Sequence, residues 1–111
     1  MANELTVYRG DTKTITVPVL DSNGDAFNLT SYVMTMTCKS DLNLSDTDAI
    51  FQKTATISAP ATGIGVIELT STDTNHTPGN YFYDVEIKKS TTNKYTVVKS
   101  TLTILANVTR T

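Results

Sequence analysis

The two side chains that most often carry out chemistry in proteins, cysteine and histidine, occur once each, as Cys38 and His76. A single cysteine excludes an internal disulfide, and one cysteine with one histidine excludes a Cys/His zinc site. Cys38 has the same parity as Met34 and Met36 in an alternating segment, so we expect a buried small side chain rather than a nucleophile. His76 lies in a polar connection, and no second candidate base supports a catalytic triad.

Closely spaced carboxylates offer two further kinds of site. Residues 21–25 (Asp, Ser, Asn, Gly, Asp) have the opening spacing of a calcium loop, but Tyr32 stands at the twelfth position, where an EF-hand needs glutamate. A hairpin turn is therefore the preferred interpretation of this segment. Asp46 and Asp48 lie in a polar stretch, which does not fix two carboxyl groups across a cleft as a glycosidase requires. We expect no enzymatic activity, no metal and no cofactor.

The tripeptide Arg9-Gly10-Asp11 matches an integrin-binding motif, but a structural role explains it better. It falls where a turn between the first two predicted strands is needed. Gly10 permits the backbone conformation of such a turn, and the side chain of Asp11 can hydrogen-bond the backbone that follows. We therefore interpret this motif as a turn.

Composition excludes several classes of protein. With 111 residues the chain has the length of one domain, and we assign residues 1–111 to a single one. The net charge of −2 excludes an electrostatic nucleic-acid binder, which carries a basic surplus. No apolar run approaches the roughly 18 residues of a membrane span, and the amino terminus lacks the features of a signal peptide. The sequence therefore predicts a soluble protein made without a leader.

Apolar and polar residues alternate with a period of two along much of the chain, and 22 of the 111 residues are threonine, which favours strands. Pro18 cannot donate to a sheet ladder, so we expect its strand at an edge or with a bulge. Adjacent Val97 and Val98 break the alternation and predict a bulge. The predicted strands begin near Leu5, Ile15, Tyr32, Ile50, Ile64, Tyr81 and Tyr95.

The spacing of these strands predicts an all-β fold. Intervals of roughly 8–12 residues in a chain of about 100 residues are typical of an immunoglobulin-like β-sandwich. We therefore expect about seven antiparallel strands and no disulfide. The segment 40–48 is the longest predicted loop, and 71–80 is predicted to be a connection without a helix or strand.

One segment resembles the start of strand F in immunoglobulin-like domains. Asp73, followed by residues 78–85 (Pro-Gly-Asn-Tyr-Phe-Tyr-Asp-Val), matches the Asp, Gly and Tyr that precede the second cysteine there. By this resemblance Tyr81 is the "tyrosine corner", whose hydroxyl bonds backbone a few residues upstream. Tyr83 stands in the place of the cysteine, and the chain has no tryptophan, so it departs from the antibody type.

The whole chain resembles the small immunoglobulin-like proteins and amino-terminal domains of tailed bacteriophages, including those of baseplate upper proteins. The resemblance covers nearly all of residues 5–110 and rests on the order and spacing of several short motifs. They are Arg9-Gly10-Asp11-Thr12, Asp21-Ser22-Asn23-Gly24, Asn28-Leu29-Thr30, residues 51–57, Thr62-Gly63-Ile64-Gly65-Val66, residues 78–85 and Leu102-Thr103-Ile104-Leu105.

This resemblance implies a structural virion protein, made in the bacterial cytoplasm, that binds other tail, baseplate or capsid subunits in a multicopy assembly. It implies neither a nucleic-acid nor a membrane partner. Baseplate relatives often continue into a coiled coil or a fibre-binding region, whereas the sequence given ends at Thr111. We therefore expect a decoration or connector protein rather than a receptor adaptor.

Candidate contact residues follow from the strand pattern. Phe82 has the parity opposite to Tyr81 and Tyr83, so it is expected to project away from the core, unless the loop 40–48 covers it. The terminal segments 2–8 and 104–111 are the other expected contact arms. The candidate interface residues are Phe82, Leu5, Val7 and Val108.

The alternative function is a carbohydrate-binding or adhesin-like module, since β-sandwiches carry many such sites. Sugar binding usually needs exposed aromatic rings, and this chain has no tryptophan and only 7% aromatic residues.

Overall fold

The architecture comes from a computed structural model, which describes residues 4–41, 49–90 and 92–106. These residues are mostly in β-strands, with a single short helix. No helix in this part of the chain is long and apolar enough to cross a membrane. The elements are β1 (Leu5–Tyr8), β2 (Lys13–Pro18), β3 (Val33–Lys39), β4 (Phe51–Thr54), β5 (Ile64–Leu69), α1 (Ser71–Thr74), β6 (Gly79–Lys88) and β7 (Lys94–Leu105).

The strands form two sheets, one of five strands in the order β1-β7-β6-β3-β4 and one of two strands, β2-β5. Four of the strand pairs are antiparallel, as the sequence predicts. The prediction of a fully antiparallel fold is wrong for β1, which runs parallel to β7 with Leu5 opposite Leu102 and Tyr8 opposite Leu105. No hairpin joins these two strands, which lie at opposite ends of the sequence, so no tight turn imposes the antiparallel direction.

The hydrophobic core lies between the two sheets, because its side chains come from both. The five-stranded sheet contributes most of them, and Cys38 on β3 is fully buried, as predicted. The two-stranded sheet contributes Val17 from β2 and two residues from β5. The apolar side chains with at most 1% exposure among the described residues are Leu29, Met34, Met36, Cys38, Ile67, Leu69, Val85, Ile87, Leu102 and Ile104.

The predicted strand 50–57 is split between the two sheets. Its first part is β4, which ends at Thr54, and the next N–H, of Ala55, donates to the Met34 carbonyl at 2.8 Å. Thr56 then exchanges both of its backbone hydrogen bonds with Val66 of β5, at 2.8 and 3.0 Å. The chain therefore leaves the five-stranded sheet after Ala55 and joins the second sheet, so one continuous strand was the wrong expectation.

Local predictions about turns and irregularities are confirmed. Gly24 adopts φ 84°, and the carboxylate of Asp21 accepts the N–H groups of Asn23 and Asp25, so the segment 21–25 is a hairpin turn. Pro18 ends β2, whose sheet partner among the described residues is β5, so it lies on an edge strand. The register of β6 with β7 shifts at Val85, leaving Val97 without a partner as a bulge.

The two sheets approach each other closely where Met34 of β3 meets Gly65 of β5. A Cβ atom added to Gly65 would lie 2.4 Å from the Met34 sulfur and 2.7 Å from its methyl carbon. Met34 is fully buried, so its side chain has no open space into which it can turn. Packing against Met34 therefore favours glycine at position 65, where the backbone conformation does not demand it.

We expect Gly65→Ala to lower the free energy of unfolding by roughly 1–3 kcal/mol, because the added methyl group overpacks a full core. Denaturant unfolding measures the loss. Shortening the opposing side chain with Met34→Val should recover part of the lost stability. The double mutant should then be more stable than the added effects of the two single changes predict. Purely additive effects would show that the contact with Met34 does not require glycine here.

Candidate functional site

A capped turn fixes the connection from β5 to β6. Thr70 precedes α1, its hydroxyl accepts the Asp73 N–H, and its own N–H donates to the Asp73 carboxylate at 2.8 Å. This reciprocal pair is a capping box, which satisfies two backbone donors at the start of a helix. The sequence did not predict α1, because one turn of helix is too short to show a helical period.

Asp73 also ties this connection to the five-stranded sheet. The ammonium group of Lys53 on β4 lies 3.0 Å from the Asp73 carboxylate. Burial by itself raises the pKa of Asp73, but the hydrogen bonds from Thr70 and Lys53, together with the lysine charge, outweigh it and hold the pKa below its ordinary value. One carboxylate thus joins the α1 turn to β4.

Tyr81 anchors the start of β6. Its ring is buried in the core, and its hydroxyl donates to the backbone carbonyl of Thr77, four residues upstream, at 2.5 Å. This is the upstream backbone bond that a tyrosine corner makes. Burial of the ring raises the pKa of the hydroxyl. The bond holds the Pro78-Gly79 bend against β6 and so fixes where the strand begins.

The candidate interface residues have different environments. Phe82 is half-buried on the outer face of the five-stranded sheet, with Lys39 and Thr101 as its neighbours on β3 and β7. Leu5 is half-buried and Val7 is buried in the core, so the side chain of Val7 does not offer an exposed contact. Val108 lies outside the described residues, as does most of the loop expected to cover Phe82.

Strand β1 forms an edge of the five-stranded sheet. Among the described residues it pairs with β7 alone. The N–H of Arg9, directly after the strand, donates to the Leu105 carbonyl of β7 at 2.8 Å. Because successive residues of a strand direct their N–H groups to opposite sides, those of Thr6 and Tyr8 face away from β7. Val7 has the parity of Arg9, so its N–H and C=O face β7 and its side chain faces the core, and it offers neither to this edge.

The other end of the two sheets carries a cluster of aromatic side chains that the sequence interpretation missed. The ring of Phe27 packs edge-on against Tyr32 and Tyr95, with centroid separations of 5.3 and 6.3 Å. The ammonium group of Lys89 lies over the Tyr32 ring, 5.9 Å from its centroid. The sequence did contain a signal for this cluster. Tyr32 directly precedes β3 and Tyr95 begins β7, which places both at the same end of the fold.

The remaining sequence motifs are structural where they are described. Gly10 adopts φ 82°, and the Asp11 N–H donates to the Tyr8 carbonyl at 3.0 Å, so Arg9-Gly10-Asp11 forms a turn. Burial raises the pKa of the Cys38 thiol to about 12, which opposes formation of a reactive thiolate. No group of three or more His, Cys, Asp or Glu side chains in ranges 4–41, 49–90 and 92–106 could hold a metal ion. Asp46 and Asp48 lie outside those ranges.

Comparisons with known proteins do not assign the chain to a family. No protein-family model matches it, and no curated protein shows significant similarity to it.

The first prediction from this region concerns Tyr81. Tyr81→Phe should lower the free energy of unfolding by roughly 1–2 kcal/mol, because the Thr77 carbonyl loses its hydrogen-bond donor. Urea denaturation followed by circular dichroism measures the effect. Tyr8→Phe is the matched control, since Tyr8 is 53% exposed and should tolerate the same change. Equal midpoints for Tyr81→Phe and the unmodified protein would contradict the anchoring role.

The second prediction concerns Asp73 and pH. The pKa of the Asp73 carboxyl group is lower in the folded than in the unfolded state. Such a group stabilises the fold at pH values above its unfolded-state pKa of about 3.9. That stability is lost as the pH falls through the lower folded value. We therefore expect the denaturation midpoint to fall between pH 5 and pH 2 in the unmodified protein, and to fall less in Asp73→Asn.

Glu68→Gln, a change at an exposed carboxylate on β5, provides the control for this experiment. It should leave the full acid-dependent fall in place. An Asp73→Asn variant with the same acid-dependent fall as the unmodified protein would show that the contacts with Thr70 and Lys53 do not stabilise the charged form.

Proposed function

We propose that the protein is an immunoglobulin-like structural module of a tailed-phage virion, and that it joins other tail, baseplate or capsid subunits through the open edge of β1. It works by contact, not by catalysis, and is present in multiple copies in the particle. The observation that carries this proposal is the edge strand β1, whose outward backbone donors have no partner among the described residues.

Two features support the immunoglobulin-like assignment. The strand order β1-β7-β6-β3-β4 opposite β2-β5, with the chain crossing between sheets after Ala55, is compatible with the two-sheet plan of such domains. The bond from Tyr81 to the Thr77 carbonyl is the second feature, because it lies at the start of the strand that would correspond to strand F.

A sheet edge favours a structural role because it binds through main-chain groups. A partner strand laid beside β1 extends the five-stranded sheet and satisfies the N–H groups of Thr6 and Tyr8. Such pairing depends little on side-chain identity, which suits repeated contacts between subunits of an assembly. The exposed side chains of Thr6 and Tyr8 then adjust the fit.

Among the described edges, β1 is the best suited to this role. Strand β2 ends in Pro18, whose nitrogen cannot donate and which therefore blocks strand addition there. Strand β4 has only four residues, after which the chain turns to the second sheet. Strand β1 also has four residues and contains no proline, whereas the ion pair of Lys53 with Asp73 places the α1 turn beside β4.

Thr6→Pro tests this proposal. Proline at position 6 removes a donor that faces away from β7, so the ladder with β7 keeps its hydrogen bonds while the open edge loses one. We expect the variant to fold, as judged by circular dichroism, and to be depleted from purified phage particles in quantitative mass spectrometry. Thr6→Ala is the matched control, because it removes the same side chain but keeps the backbone donor, and it should enter particles at the normal level.

Two results would count against the proposal. One is the absence of the unmodified protein from purified virions. The other is normal incorporation of a correctly folded Thr6→Pro variant, which would exclude strand addition at β1 as the means of attachment.

A further inference from the structure

The aromatic cluster lies at the end of the fold where the connection from β2 to β3 meets the β6–β7 hairpin. Phe27 is at its centre, between Tyr32 and Tyr95. Tyr95 is 51% exposed, although on β7 it stands opposite Ile87, a core residue. Three of the eight Phe and Tyr side chains in the chain therefore meet at one end, and part of their surface stays in contact with solvent.

Beside these rings is a hollow of about 470 Å³. It is open to solvent, a shallow depression of the surface and not an enclosed cavity. Its walls combine two aromatic rings with side chains that can donate or accept hydrogen bonds. The lining residues are Phe27, Tyr32, Asn28, Thr30, Ser31 and Lys89, together with Asp21.

The floor of the hollow is held in an unusual backbone conformation. Ser31 has φ 69°, the only positive value among the non-glycine residues in the described part of the chain. The Asn28 carboxamide oxygen accepts both the N–H and the hydroxyl of Thr30, which fixes the turn before Ser31. Strain of this kind is found more often at binding sites than elsewhere, and here it presents the exposed Ser31 side chain beside the rings.

The β6–β7 hairpin adds positive charge at the same end. Lys88 and Lys94 stand directly opposite each other on β6 and β7, and Lys89 follows Lys88. All three are exposed. Lys88 and Lys94 have the parity opposite to Ile87 and Tyr95, and Lys88 lies beside Asp84 and Glu86 on the outer face of the five-stranded sheet. Lys89 is the lysine that lines the hollow. Asp21 is the one acidic residue lining the hollow, and its carboxylate already accepts two backbone N–H groups of its own turn.

From these observations we propose that this end of the protein binds an acidic saccharide, meaning a sugar that carries carboxylate or phosphate groups. The apolar face of a pyranose ring packs against the exposed ring of Tyr95, as sugars do on aromatic surfaces. The side chains of Asn28 and Ser31 hydrogen-bond the sugar hydroxyls, and Lys89 pairs with its acidic group. This site is independent of the β1 edge and does not rest on the function proposed above.

A saccharide fits these features better than an acidic protein surface does. Seven residues line the hollow, whereas a stable protein interface covers roughly 800 Å² and about 20–30 residues on each partner. The hydroxyl and amide groups are gathered beside the rings, and Lys89 lies at one side. A ligand with a stacking face, hydroxyls and a negative group matches all three parts.

The test is a titration of the full chain with three hexasaccharides. These are hexagalacturonate, which carries carboxylates, maltohexaose bearing glucose 6-phosphate units, and unmodified maltohexaose. Amide chemical shifts in the NMR spectrum report where each ligand binds. We expect at least one acidic hexasaccharide to bind more tightly than maltohexaose and to shift residues 28–32 and 88–95. Binding of hexagalacturonate identifies carboxylate as the acidic group, and binding of the phosphorylated maltohexaose identifies phosphate.

Variants then test the residues. We expect Lys89→Gln to weaken binding of the acidic hexasaccharide by about fivefold, and Tyr95→Ala by about tenfold. Lys99→Gln and Tyr8→Ala are the matched controls, since both residues are exposed and lie away from the hollow, and they should bind like the unmodified protein. Circular dichroism of each variant establishes that it is folded.

The inference is overturned if neither acidic hexasaccharide binds, if maltohexaose binds equally well, or if the controls lose as much affinity as the site variants. Poly-L-glutamate completes the design, because it carries carboxylates without a pyranose ring. Equal binding of poly-L-glutamate at residues 88–95 would also overturn it, and would identify the end of the fold as a docking surface for acidic protein.

Discussion

The contact between Met34 and Gly65 sets the distance between the two sheets, and the rest of the fold depends on that distance. Met34 is fully buried and points directly at the one position on β5 where no side chain intervenes. With the sheets this close, Val17 and Ile67 of the second sheet join Met36, Cys38 and Val85 of the first in one core cluster. The segment after β4 can then pass from one sheet to the other within one residue, since Ala55 still bonds Met34 while Thr56 bonds Val66.

Polar contacts at the β5–β6 connection determine where β6 begins, and β6 in turn organises its neighbours. Tyr81 bonds the Thr77 carbonyl, and Asp73 joins the α1 turn to Lys53 of β4. Because side chains alternate along a strand, a fixed start places Tyr83, Val85 and Ile87 in the core and turns Phe82 outward. The pairing of β6 with β7 transmits this register as far as β1, which has no other partner among the described residues.

Much of this structure was predictable from the sequence, because much of it is local. Alternation identified the strands, the adjacent pair Val97-Val98 located the bulge, and residues 21–25 identified the hairpin turn. The parallel pairing of β1 with β7 and the change of sheet at Ala55 were not predictable, since both depend on which distant strand is available. The aromatic cluster was missed for the same reason. Phe27, Tyr32 and Tyr95 are unremarkable in sequence and become a site only when two separate connections meet.

The two proposed surfaces, the β1 edge and the aromatic cluster, lie near opposite ends of β7, and this arrangement has a consequence for function. β1 pairs with the carboxyl end of β7, from Leu102 to Leu105, whereas the aromatic cluster begins at Tyr95. At about 3.3 Å per residue, seven residues of strand separate the two surfaces by roughly 23 Å. A partner strand added beside β1 therefore does not cover the hollow or the hairpin lysines. A domain held in an assembly by its β1 edge keeps the opposite end free for a ligand, so attachment and saccharide binding are compatible in one small protein.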